Sequence, residues 1–471
     1  MPASRTAAGL LAGALTATAV AVCAGAGGPA AALEAVDPAA AAAAAAVPAG
    51  DWVSYHGDLA HTGFSATTPA VGRLRRAWAR ALDAAVYASP LVIGSTVVVV
   101  TERNSVYGLD RATGAVRWHT GLGRPVSGGS LPCGNIDPLG ITGTPAYDPV
   151  SRRVFAVATT RVGGEVRHTL VGLAVSTGRV QVRRAVDPPR QSTEVLNQRG
   201  ALAVSRGRVY VPYGGLAGDC GDYHGHVVGV GTDGRGPLLS YRVPTPREGG
   251  IWAPSGIAVD RAGSLYVAVG NGAAGQAGDA YDGSDSVTRL GADLRRTGLF
   301  APTTWREDNR VDADLGSTGP LLLGDGARGY VWIQGKAGTA YVLRQSALGG
   351  IGGQVSSVRA CERQFGGAAA HGFTVFAACT DGVRKVSVDP AGRARALWRA
   401  PSAVSGSPVV GGGAVLALAP GDGVLYALDE RTGRVRSTVA VGAVTRFATP
   451  ALSGALAFVP TQAGITAVAL R

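Results

Sequence analysis

Repetition constrains this chain more than any other feature. Eight times a small residue or proline opens an apolar strand, a turn follows, and a second apolar strand returns. The copies read SPLVIGSTVVVV from Ser89, TPAYDPVSRRVFAVA from Thr144, GALAVSRGRVYVPYG from Gly200 and SGIAVDRAGSLYVAVG from Ser255. They continue as TGPLLLGDGARGYVWIQ from Thr318, GGAAAHGFTVFAACT from Gly366, SPVVGGGAVLALAP from Ser407 and TPALSGALAFVPT from Thr449. Successive starts lie 41 to 63 residues apart. That period belongs to radial or stacked arrays, in which a repeat buries its apolar face only against its neighbours. A chain of 471 residues would otherwise be expected to split into several domains.

Several copies finish alike. VYGLDRATGAVRWHTGLG starts at Val106, LYALDERTGRVRSTVAVG at Leu425, and a worn version, LVGLAVSTGRVQVRRAVD, at Leu170. In each, an apolar strand ends on an acidic or polar residue, T-G makes the turn, and an alternating strand leads outward. Glycine tolerates the positive φ of such a turn. Each repeat thus supplies four antiparallel strands, which is one propeller blade. The last copy runs out at Arg471 after about three strands. Its missing outer strand is available upstream as LRRAWARALD, residues 74–83, which resembles the Trp-bearing outer strands AVRWHTGLG and RALWRAPS. The expected fold is therefore all-β: an eight-bladed β-propeller of four-stranded antiparallel blades, closed by N- and C-terminal strands that share one blade and so leave no open edge. Trp78, Trp118 and Trp398 are expected to pack between blades. A monomer is expected.

Composition agrees. Glycine is abundant at 71 residues and only 16% of residues are charged, which suits short strands and tight turns rather than amphipathic helices. The formal charge of +12 is nearly all arginine, the only lysines being Lys336 and Lys385. The cations are scattered and do not line one face, which argues against a nucleic-acid partner. Attraction to an anionic cell envelope is a better use of them.

The N-terminus reads as an address. Arg5 precedes a weakly apolar run over residues 7–26, and small residues over 28–32 offer cleavage sites, so residues 1–32 are assigned as a signal peptide. Pro29 ends the run, which argues against a permanent span, and Val22 before Cys23 is a poor match for lipoprotein processing. No other segment is long and apolar enough to be transmembrane. Residues 33–50 form an Ala-rich linker and 51–471 the propeller. A secreted or envelope-associated protein is expected. In that setting Cys133, Cys220, Cys361 and Cys379 point to disulfides. Of three possible pairings, Cys133–Cys220 with Cys361–Cys379 is preferred. No C-x-x-C is present, hence no zinc-ribbon spacing and no attached c-type haem. A P-loop, a G-x-S-x-G elbow and H-E-x-x-H are also absent.

The T-G hairpins resemble those of the pyrroloquinoline-quinone (PQQ) repeat propellers, which include quinoprotein alcohol dehydrogenases and non-catalytic relatives. The resemblance runs from about Asp51 to the C-terminus. DWVSYHGDLAHTGFSATTP, from Asp51, is similar to the W-x-x-Y-x-x-D-x-x-x-T start of mature quinoprotein dehydrogenases. GGIWAPSGIAVDRAGSLYVAVGNG, from Gly249, resembles their G-G-x-x-W stretch followed by an Asp, L-Y and G-N-G. The resemblance implies that Trp252 is the indole floor under PQQ and that Asn271 is an amide ligand of Ca²⁺. A flat quinone needs an aromatic platform and a hard cation needs oxygen ligands. IQGKAGTAYVLRQS, from Ile333, is similar to P-K-N-G-x-x-Y-V-L-D-R, which implies that Lys336 contacts the quinone oxygens.

Between these stretches lies TTWREDNRVDADLGSTGP, from Thr303, where the dehydrogenases carry their catalytic Asp in W-D. Here Arg306 and Glu307 follow Trp305. Asp308, Asp312 and Asp314 are the candidates, Asp314 first, for taking an alcohol proton while hydride moves to the quinone. The adjacent cysteines that ring the cofactor in many relatives are reduced to a lone Cys133 in SLPCGNIDPLG. In place of the Ca²⁺-binding Glu stands YGGLAGDCGDYHGH, from Tyr213, in which Asp219 or Asp222 are possible substitutes. His224 and His226 there are a weaker metal pair. The loop GDAYDGSDS, from Gly278, offers Asp279, Asp282 and Asp285 but not EF-hand spacing, and reads more simply as a self-capping loop.

Two functions follow. One is a PQQ- and Ca²⁺-dependent dehydrogenase acting on a small-molecule alcohol or sugar. The other is a scaffold that holds a protein partner or a cell-envelope polymer without cofactor.

Overall fold

The computed structural model describes residues 47–471. The expected signal peptide, Cys23 and most of the Ala-rich linker lie outside the described residues. Eight small sheets form the blades of a β-propeller. In chain order, blade 1 spans residues 91–121, blade 2 146–185, blade 3 203–242, blade 4 258–301, blade 5 321–359, blade 6 369–399, blade 7 409–440 and blade 8 451–469. Among the described residues no helix is long and apolar enough to cross a membrane.

Burial falls from the inside of each blade to the outside. The second strand of blade 1, Thr96–Val100, is buried at every position, whereas its outer strand, Val116–Gly121, alternates between exposed and half-buried. Inner strands are covered on both faces by neighbouring blades and can be continuously apolar, while outer strands meet solvent on one face. The ring closes as the sequence implies. Arg75–Ala81 pairs antiparallel with Gly464–Ala469, from Arg75 opposite Ala469 to Ala81 opposite Gly464. Blade 8 therefore takes its outer strand from the N-terminal part of the chain.

The T-G turns hold neighbouring blades together. Asp110 Oδ1 accepts the N–H groups of Ala112 and Thr113, and Asp429 Oδ1 those of Arg431 and Thr432. The glycine that follows has a positive φ, 70° at Gly114 and 73° at Gly433. Its bare Cα lies against the outer-strand tryptophan of the preceding blade, Trp78 for Gly114 and Trp398 for Gly433. The indole N–H groups of Trp78, Trp118 and Trp398 donate to the turn carbonyls of Arg111, Val175 and Glu430. These three tryptophans pack between blades, and the T-G glycine makes room for them.

A strap of chain, residues 52–65, lies across one end of the ring. The carbonyls of Trp52, Val53, Leu59, Ala60, Thr62 and Gly63 accept N–H groups of Val92, Tyr147, Val259, Leu322, Ala370 and Val410. Those six donors sit in the first strands of blades 1, 2, 4, 5, 6 and 7. The strap buries His56 and His61, and burial pushes them down to about 3 and about 4, so both are neutral at pH 7. It meets the ring beside the first-to-second-strand turns: Gly94, in the turn of blade 1, donates its N–H to Asp51.

Both expected disulfides are present. Cys133–Cys220 joins the connector after blade 1 to a loop of blade 3, and Cys361–Cys379 joins residues close in sequence near blade 6.

Candidate functional site

Strands alternate in direction, so the connectors between blades and the loops between second and third strands emerge on the same face. These loops wall a cavity of about 380 Å³ at the ring centre. Connectors contribute Asn135, Arg199, Trp252, Asp312, Asp314, Phe365, Arg446 and Phe447, and the second-to-third-strand segments contribute residues 215–219, Tyr223, Asn271 and Lys336. Trp252, Asn271, Asp312, Asp314 and Lys336, picked from separate stretches of sequence, thus share one cavity.

Close backbone approach makes this possible. A Cβ at Gly316 would stand 2.3 Å from the Gly270 nitrogen, and one at Gly335 2.3 Å from the Asp314 carbonyl oxygen. Both distances are below any real contact, so the segments carrying Asn271, Asp314 and Lys336 can meet only through glycine. Lys336 N–H closes the join on the Asp314 carbonyl at 3.0 Å. Asp285 ties in a further segment. Its N–H bonds the Gly270 carbonyl and its Oδ1 accepts Leu315 N–H at 2.8 Å. Burial, with Asp314 adding repulsion, pushes the Asp285 carboxyl well above the usual range.

The polar centre is a small ionic network. Lys336 Nζ lies 2.5 Å from Asp312 Oδ1 and 3.5 Å from Asp314 Oδ2. Trp252 Nε1 donates to Asp314 Oδ2 at 3.3 Å and Asn271 Nδ2 to Asp312 Oδ1 at 2.7 Å. Lys336 Nζ sits 5.7 Å from the Trp252 ring centroid. Burial drives the Asp314 carboxyl up to about 6, with the Lys336 ammonium partly offsetting it. Burial also works against the charge of Lys336, but Asp314 and Asp312 outweigh it and its ammonium is held above the usual value. Two buried oxygens, Asn271 Oδ1 and Asp314 Oδ1, have no hydrogen-bond partner. Orphaned oxygens in a polar cavity are costly unless something fills them.

The other candidates sit differently. Asp219 lines the cavity, and its Oδ1 accepts the Tyr223 hydroxyl at 2.5 Å. Asp222 is not among the lining residues, and its carbonyl accepts from Gln191. Asp308 lies in the helix Trp305–Arg310 and accepts the Thr304 hydroxyl, away from the cavity lining. His224 Nε2 contacts the Pro246 carbonyl, and burial pushes His226 down to about 4. In the acidic loop, Asp279 caps Gly275 and Gln276 and Asp282 caps Ser284, while Asp285 reaches out of the loop to Leu315. Among the described residues, the cluster of three His, Cys, Asp or Glu groups with converging ligand atoms is Cys361, Cys379 and Asp381, whose cysteines are already joined.

A family profile of the PQQ_2 type, described as outer membrane protein assembly factor BamB, matches residues 46–214. Over those residues the chain matches PQQ-type repeats, and the described residues as a whole form an eight-bladed propeller. No curated protein sequence matches it. Among solved structures, this propeller is similar to the quinohemoprotein alcohol dehydrogenase from Comamonas testosteroni, with a TM-score of 0.66 at 16% identity over 92% of this chain and 82% of that one. It is similar to BamB from Moraxella catarrhalis with a TM-score of 0.52 at 16% identity, over 84% of this chain and 97% of that one. The computationally designed Ika8 protein gives a TM-score of 0.52 at 13% identity, over 83% and 98% of the two chains. At such identities the likeness is one of fold.

The propeller also brings in residues that carry no sequence signal. Phe365 and Phe447 pack edge to face at 6.5 Å, and Phe447 packs the same way on Trp252 at 6.5 Å. Arg199 lies over Phe447 at 4.4 Å and Arg446 over Phe365 at 3.8 Å. Each stands in a connector without a motif, so only assembly of the ring reveals the cluster.

Proposed function

We propose that the funnel binds PQQ with Ca²⁺ and that the protein oxidises a small-molecule alcohol or sugar. The observation that carries this reading is the convergence of Trp252, Asn271, Asp314 and Lys336 on one cavity. A cavity of about 380 Å³ is of the size that takes a small cofactor. Trp252 offers a flat platform. The unpartnered Asn271 Oδ1 is an oxygen donor of the kind a hard cation takes, and Asp219 faces the same cavity. Lys336 would hold a quinone oxygen with a compact positive charge.

A bound quinone supplies the hydride acceptor. The chain's own task is to place the substrate hydroxyl and take its proton. Asp314 Oδ1 is the free acceptor atom, on a carboxyl pushed up to about 6, which keeps it ionised yet basic near neutral pH. Lys336 and Trp252 hold its other oxygen and so fix the carboxylate plane.

The test is to add PQQ and Ca²⁺ to the purified chain and measure cofactor retention and dye-linked oxidation of alcohols and sugars. Stoichiometric retention that Trp252→Ala and Asn271→Ala both abolish is expected. No retention sinks the quinoprotein reading, and retention that survives both changes misplaces the site. A second reading, a non-catalytic scaffold for a protein partner or envelope polymer, draws on the profile match to an assembly factor and on Arg306 following Trp305 where the dehydrogenases carry the Asp of W-D. Absence of retention would favour it, whereas retention without turnover would point to a sensor or a relic.

A further inference from the structure

The funnel is bipolar. At one end Lys336 is compensated by Asp312 and Asp314. At the other, Arg199 and Arg446 rest on the Phe447–Phe365 pair, and among the described residues neither has a carboxylate within ion-pair distance. Burial pushes Arg199 down to about 10, so it keeps its charge at neutral pH. Its nearest acidic influence is Glu102, itself buried, pushed up to about 7, and engaged with the Gly140 N–H. Tyr87 adds a smaller favourable influence on Arg199, and the neighbouring arginines act against one another. Arg446 opposes the charge on Arg199, and Arg363 opposes the charge on Arg446.

Like charges gathered at a concave wall without counterions form an unfavourable arrangement that an anion relieves. The stacking is suited to it. A guanidinium lying flat on a ring presents its N–H edge outward, in the fork that matches a carboxylate. Both line the cavity, Arg446 exposed and Arg199 mostly buried. A net charge of +12 favours the approach of anions.

We propose that the substrate admitted to this funnel carries a carboxylate, as a sugar acid or a hydroxy acid does, and that Arg446 and Arg199 hold that carboxylate. The assignment deepens the dehydrogenase reading, but binding of the acid does not require the quinone, so the two are separable.

The experiment measures affinity of the cofactor-free chain by calorimetry for two matched pairs, D-galacturonate against D-galactose and D-gluconate against D-glucitol. At least one acid is expected to bind tenfold or more tighter than its neutral partner, with the preference shrinking in 0.5 M NaCl. Arg446→Gln, at an exposed position, should cut the preference below about threefold. Arg75→Gln, on the outer strand of blade 8, removes the same charge and should leave it intact. PQQ retention is measured in parallel. Acid preference without PQQ retention upholds this inference and sinks the dehydrogenase reading. PQQ retention with no preference for either acid overturns the inference alone. Loss of PQQ retention in Arg446→Gln, without acid preference in the parent, assigns the arginines to the carboxylates of the quinone and also overturns it.

Discussion

Replacing Cys133 and Cys220 together by serine removes the covalent tie between two loops that wall the funnel, one carrying Asn135 and the other Leu216 to Asp219. The bond spans 87 residues of sequence. In the chain-entropy account, opening a loop of that length returns about 15 cal/mol/K to the unfolded chain, or about 4.6 kcal/mol at 25 °C. Unfolding entropy near the midpoint is about 2.1 cal/mol/K per residue, so the 425 residues from 47 to 471 give about 0.9 kcal/mol/K. The double variant should therefore melt about 5 °C below the parent. Scanning calorimetry without reductant measures the shift, and a thiol titration of the unfolded parent shows that its cysteines are oxidised. A shift of less than about 1 °C, with no free thiol in the parent, would refute the argument that this bond restrains the unfolded chain.

Three further outcomes are expected. Gly433→Ala places a Cβ 2.7 Å from the Trp398 indole at a φ of 73°, and should cost about 2–4 kcal/mol in a urea melt, whereas Gly454→Ala, with a positive φ but open space around it, should cost about 1 kcal/mol. Carbon-13 NMR of the cofactor-free chain should show the Asp314 carboxyl titrating near 6, and Lys336→Met should move it higher because the ammonium favours the ionised form. The folded state of Asp314 binds its proton more tightly than the unfolded state, so this group makes stability fall as pH rises from about 4 to about 6. His56 and His61 act in the opposite sense. Their folded values lie below the unfolded value, so stability present above pH 6.5 should be lost on acidification, by about 3 kcal/mol per histidine at pH 4.5, and His61→Gln should flatten that dependence.

The parts of this molecule that were legible in sequence are those whose cause is local. A strand pattern of period two, a T-G turn and a Trp-bearing segment each announce themselves within about ten residues, which is why the blades and the closing strand, Arg75–Ala81, follow from reading along the chain. The same holds for Trp252, Asn271 and Lys336, each embedded in its own short motif. Features whose cause is a partner far away in sequence stayed hidden. The T-G glycine reads as a turn residue, yet at Gly433 it also accommodates Trp398, 35 positions earlier. The strap binds six blades through main-chain carbonyls, which no side-chain pattern encodes. Arg199 and Arg446 read as two of many scattered arginines until the ring sets both beside Phe447. A propeller brings its connectors to one point whatever their spacing in sequence, so the chemistry of its funnel depends on non-local contacts even when its architecture is written locally.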